Sequence, residues 1–112
     1  MSLSYNENSK KTYKEIYTEE VKLYNNIYQR YGALQENDIS GAYQLMKDSL
    51  QAYNRWSVIR EDVRKSSSRG NDSHIKDRLK EILEYLYEVH TDSRIIFTRA
   101  KRDYINNKEM EW

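Results

Sequence analysis

The chain has 112 residues, with 19 Lys or Arg against 18 Asp or Glu, for a formal net charge of +1. That length fits one domain with a real core, and near-neutrality argues against a protein that works chiefly by coating nucleic acid. The absence of cysteine excludes disulfides, thiolate metal sites and a cysteine nucleophile, and no stretch approaches the roughly eighteen apolar residues of a membrane span.

Residues 1–11 are rich in Ser, Asn and Lys and lack the apolar run of a signal peptide. They read as a disordered lead-in, and the protein is expected in the cytoplasm. Helical periodicity begins at Thr12, an N-cap with Glu15 three residues on. The stripe Tyr13, Ile16, Tyr17, Leu23, Tyr24, Ile27, Tyr31 and Leu34 predicts a first helix over 12–35, with Glu20 and Arg30 as its polar exceptions. Tyr17, Tyr24 and Tyr31 recur every seven residues at one edge, where a ring packs while its hydroxyl reaches water.

A polar break, Gln35-Glu36-Asn37, and an Asp38 cap lead into a second helix over 39–65, antiparallel to the first because the connection is so short. One row on it is Ala42, Leu45, Ser49, Ala52, Trp56, Ile59 and Val63; the adjacent row is Ile39, Tyr43, Met46, Leu50 and Tyr53. Two filled rows predict a broad buried face in the first half of this helix and a narrow one beyond Tyr53. Gly41, Ala42, Ser49 and Ala52 are small and predict a closely approaching neighbour, with Trp56 filling the space below.

After a polar loop at 66–73 comes the longest element, a third helix over 74–107. Its rows are Ile75, Leu79, Ile82, Leu86, Val89, Ser93, Ile96 and Ala100, and beside it Leu83, His90, Phe97 and Tyr104. Such a helix is on the order of 50 Å long. The expected fold is all-α: an antiparallel three-helix bundle over 12–107 with a long C-terminal helix, followed by a tail at 108–112, and its leftover apolar surface permits a homodimer.

Chemistry-bearing motifs are not evident. His74 and His90 are the two histidines, and His90 has neither His nor carboxylate at 86, 87, 93 or 94, so a packing role is expected and no metal. Glu84 and Glu88 lie one turn apart on the polar side of the third helix, as on an ordinary solvated face, and the three glycines are too scattered for a phosphate loop. Neither enzymatic activity nor a cofactor is expected. The basic row Lys80, Arg94, Lys101 and Lys108 is accounted for by the helix macrodipole. Apolar residues outside the buried rows carry more information. Val58, Tyr87, Ile95 and Ile105 are left over, and an aromatic, an arginine and an aliphatic side chain are what interface centres favour. Tyr87, Arg94 and Ile95 are neighbours on one helical surface and are therefore expected to bind a partner, that partner being a protein.

In its order of parts the chain resembles the FliT-type flagellar export chaperones, over roughly residues 12–107. Leu23-Tyr24-Asn25-Asn26-Ile27 in the first helix leads to the acidic break Leu34-Gln35-Glu36-Asn37-Asp38. Tyr43-Gln44-Leu45-Met46 follows in the second helix, and Leu79-Lys80-Glu81-Ile82-Leu83 with Arg94 and Arg99 in the third. The chain departs from that family in using Tyr where Leu is expected and in having no separate helix after 107. The resemblance implies a cytosolic bacterial chaperone that binds the disordered end of a filament-cap protein, with no bond made or broken, and Tyr87, Arg94, Ile95 and Phe97 are the residues then expected to hold that client. The alternatives are a small phage or mobile-element protein that binds and regulates a host protein, and a helical nucleic-acid-binding protein.

Overall fold

The computed structural model describes residues 13–66 and 73–110. They form three helices and no strand: α1 (Tyr13–Ala33), α2 (Ile39–Ser66) and α3 (Ser73–Met110). The lead-in, the Thr12 cap and the serine-rich loop lie outside the described residues. Helix α1 ends two residues before the expected 35, and α3 runs three residues beyond the expected 107, since neither Gly nor Pro interrupts it.

The break between α1 and α2 is closed by its own hydrogen bonds. The amide of Asp38 donates to the Gln35 carbonyl at 3.2 Å, and the Asp38 carboxylate accepts from the Gly41 amide at 2.9 Å, the geometry of an N-cap. A Cβ at position 41 would run into that carboxylate. Gly41 is thus small because the cap folds back over it, and not, as its place among small residues suggested, to admit a neighbouring helix.

Helices α2 and α3 form the antiparallel core. Tyr43 stacks beside Phe97 with ring centroids 5.2 Å apart, and ten residues along, Tyr53 meets Tyr87 at 5.8 Å, which fixes the register. Between them Ala42, Leu45, Ser49, Ala52, Trp56 and Ile59 of α2 are no more than 6% exposed, as are Leu79, Ile82, Leu83, Leu86, Val89, Ser93 and Ala100 of α3. The small residues on both sides draw the backbones together, and Trp56, with no exposed surface, occupies the wider space beyond them. The Ser49 hydroxyl donates to the Leu45 carbonyl at 2.7 Å, so it enters the core with its hydrogen bond made.

Helix α1 is held differently. Ile27 is its one buried apolar residue among those described; Val21, Tyr24 and Tyr31 pack partly buried against the core. Bulky rings along the contact keep α1 at a distance, so Ile16, Tyr17 and Leu23 of the expected stripe stay exposed at its margins. Polar ties make up the difference. Glu20 and Arg30, which broke the apolar stripe, are the α1 members of two ion pairs to α2, Arg55 Nε to Glu20 at 2.7 Å and Arg30 to Asp48 at 2.8 Å.

The expected rows are only partly buried. In α2 the row through Tyr43 and Leu50 lies at an edge, with these two 43% and 40% exposed, because α1 and α3 both pack on the other row. In α3, Ile75 and Tyr104 are exposed. The helix has 38 residues against 28 in α2, about 15 Å more length. The register places Ile39, four residues before Tyr43, level with Lys101, four after Phe97. Residues 101–108 therefore run past the end of α2, and all are exposed.

Candidate functional site: an open aromatic face

Helix α1 covers one face of the α2/α3 hairpin and leaves the other bare. Its attachment point on α3 is Tyr85, whose ring is approached by Tyr24 at 5.5 Å, Tyr28 at 5.7 Å and Tyr31 at 6.2 Å. One heptad further along, the Asp92 carboxylate accepts a hydrogen bond from the Tyr31 hydroxyl. Burial beneath α1 pushes the Tyr85 phenol up to about 12, and the hydrogen bond to Asp92 raises that of Tyr31. Tyr87 stands two residues past Tyr85, about 200° round the helix, and so faces the uncovered side.

On that uncovered side the side chains form a strip. Tyr53 and Tyr87 mark one end, Tyr43 and Phe97 the other, and His90 and Leu50 lie between them. Ten residues of helix rise separate the two ring pairs, about 15 Å. Tyr43, Leu50 and Tyr87 are exposed, while Tyr53, His90 and Phe97 are half-buried, so the strip is rooted in the core and open to solvent at once. His90 Nδ1 lies 2.9 Å from the Met46 carbonyl oxygen, an acceptor only, which places the proton on Nδ1 and pins α3 to the α2 backbone in mid-strip. A groove of about 450 Å³ opens at the Tyr53 and Tyr87 end, against Leu83. A second groove of about 330 Å³ lies at the other end between Phe97 and Ile105. Rooted rings beside shallow grooves are the anchors and pockets from which protein interfaces draw most of their binding energy.

The four expected partner-binding residues divide between two surfaces. Tyr87 and Phe97 belong to the strip, and Arg94 is on the same side, seven residues from Tyr87 and three from Phe97. Ile95, 41% exposed, is two residues from Phe97 and about 160° away from it on the outer side of α3, so the helix rather than a shared patch connects them. Tyr43 and Tyr53 are site residues that the sequence reading assigned to the core of α2. The signal was present in their spacing, since they sit on the second row, beside the one that proves buried.

Three buried polar atoms have no hydrogen-bond partner among the described residues: Glu20 Oε1, Trp56 Nε1 and Ser93 Oγ. None is in the strip. Among the described residues no group of three or more His, Asp or Glu is arranged to hold a metal, and no helix is long and apolar enough to cross a membrane. Comparison with protein-family models, curated proteins and solved structures finds no match.

Proposed function

We propose that the chain is a non-enzymatic protein-binding domain whose partner docks on the open face of the α2/α3 hairpin. The observation that carries this reading is the strip of rooted but solvent-open rings, Tyr43, Phe97, Tyr53 and Tyr87, on the side that α1 leaves bare. A helix laid along the strip would occupy the place of a fourth bundle member, the helix-in-groove mode of recognition. Tyr87 and Phe97 act as anchors, Arg94 as a flanking charge, and Ile95 is available to a partner large enough to wrap α3.

The resemblance to FliT-type export chaperones supplies the kind of partner: the end of a filament-cap protein, held in the bacterial cytoplasm before export. A long hairpin with one bare apolar face suits that task, because a disordered client segment gains a surface on which to fold. The reading is tested by co-expressing the full chain with the filament-cap protein of the same genome and asking whether the two co-purify. Co-purification that is lost in Tyr87→Ala with Phe97→Ala and kept in Ile95→Asp is the expected result. Failure to co-purify, or loss only in Ile95→Asp, overturns it.

A further inference from the structure

The charges around the strip are distributed unevenly. From Arg94 to Lys108 there are five cations, Arg94, Arg99, Lys101, Arg102 and Lys108, and a single carboxylate, Asp103, in a chain whose overall charge is +1. Four arginines of the chain are neutralised in place: Arg30 by Asp48, Arg55 by Glu20, Arg64 by Glu61 and Arg78 by Glu81. Among the described residues, Lys47, Arg94, Lys101, Arg102 and Lys108 have no carboxylate ion-pair partner, and nor do Arg99 and, at the Tyr53 and Tyr87 end, Arg60 and Lys80.

The helix dipole accounts for Lys108, in the last turn of α3, but not for the others. Its influence falls off within the last turn, and α3 continues to Met110, so Arg94, Lys101 and Arg102 lie two or more turns upstream of the end. Two of the lysines are tied to the strip itself. Lys47 Nζ sits 5.1 Å from the Tyr43 ring centroid and Lys101 Nζ 5.7 Å from that of Phe97; beyond the hairpin, Lys108 Nζ is 5.9 Å from Tyr104. Each ring thus carries an ammonium at its edge or face, which pre-orders the charges round the apolar surface.

Resting on the protein-binding reading above, we propose that the open face is specific for an acidic amphipathic helix. Its apolar stripe lies on the Tyr43–Phe97 and Tyr53–Tyr87 pairs, and its carboxylates meet Lys47, Arg94 and Lys101. The separation of about 15 Å between the pairs corresponds to apolar anchors about ten residues apart, three turns of the docked helix. Single-stranded nucleic acid is disfavoured as the occupant. Base stacking needs free ring faces, whereas Tyr43 and Phe97 already pack on each other and on lysines, and at the far end of the strip Glu84 and Glu88 offset Arg60 and Lys80, so no continuous basic track runs along it.

The test titrates the full chain, at low and moderate salt, with two labelled designed peptides of about fifteen residues that share one leucine stripe and carry either Glu or Lys beside it. An oligothymidylate is the third probe. The acidic peptide should bind about tenfold more tightly than the basic one or the oligothymidylate, Arg94→Glu with Lys101→Glu should reverse the peptide preference, and Phe97→Ala should weaken the acidic peptide about tenfold. All the substituted charges are exposed, so helicity by circular dichroism should be unchanged. Equal peptide affinities, indifference to the charge reversal, indifference to Phe97→Ala, or tighter binding of the oligothymidylate overturns the proposal. A filament-cap client that still co-purifies with the charge-reversed chain overturns the acidic specificity alone, whereas a client that never co-purifies overturns the underlying reading.

Discussion

Tyr31 of α1 donates its phenolic hydrogen to the carboxylate of Asp92 on α3, 61 residues away in the chain. With Ile27 the one buried aliphatic residue of α1 among those described, this bond and the rings around Tyr85 are what set the first helix against the third. A half-buried hydrogen bond to a charged acceptor contributes on the order of 1–2 kcal/mol. Tyr31→Phe should lower the unfolding free energy by about that much in urea melts. In a double-mutant cycle with Asp92→Asn the two losses should be strongly non-additive, and simple additivity would show that the pair does not interact.

Alkaline pH should loosen the same contact. The Tyr85 phenol is pushed up to about 12 by burial among Tyr24 and Tyr28, and Tyr31 is raised by its bond to Asp92, so in both the fold favours the protonated form. The unfolded chain ionises its tyrosines near pH 10 and releases those protons first. The stabilisation is therefore complete below about pH 10 and is lost as pH climbs through the folded values. Urea midpoints should fall steeply between about pH 10 and 12, and less steeply in Tyr85→Phe. Parallel pH profiles for the two proteins would contradict this.

Close approach of α2 and α3 rests on small side chains, and enlarging one should be costly. Ala52, with no exposed surface, faces α3 between Ser49 and Trp56. Ala52→Leu should destabilise by about 1–3 kcal/mol through overpacking. The neighbouring Leu50, 40% exposed on the strip, should accept Ala with a much smaller loss of stability. Comparable losses at 50 and 52 would mean that the two rows are not divided into a buried and an open one.

Asp38 offers a local check on the hairpin entry. Its carboxylate caps α2 through the Gly41 amide, and Asp38→Ala should cost about 1 kcal/mol, while Asp38→Asn should be nearly neutral. Chemical denaturation of the three proteins decides this, and equal stability of Ala and Asn would remove the cap from the account.

The helices themselves were legible because apolar periodicity is local: the rows through Leu45 and Leu86 mark the buried core directly. What periodicity does not carry is the side on which a third helix settles. Tyr85 and Asp92 are seven residues apart, beside the row of Ile82 and Val89, and a third row there was readable; their partners on α1 were not, since hydrogen bonds and ion pairs across helices depend on tertiary register. For the same reason Tyr43 and Tyr53 read as core. Their row is apolar at helical spacing, and only the position of α1 on the opposite face leaves it open. Tyr87 and Arg94 were legible as surface because they lie outside the buried rows, and Ile95 met the same criterion on a different side of the helix, whereas Phe97 stands in a row that reads as buried and proves half-buried.

The most direct measurement of the central claim is an NMR footprint on the full chain, adding the terminal segment of the filament-cap client and following side-chain resonances. The shifts should concentrate at Tyr43, Tyr53, Tyr87 and Phe97, with Tyr28, exposed on α1 beside Tyr85, unmoved. Shifts at Tyr28 and Leu23 with the four strip rings unchanged would place the partner on the opposite side of the bundle and contradict the assignment.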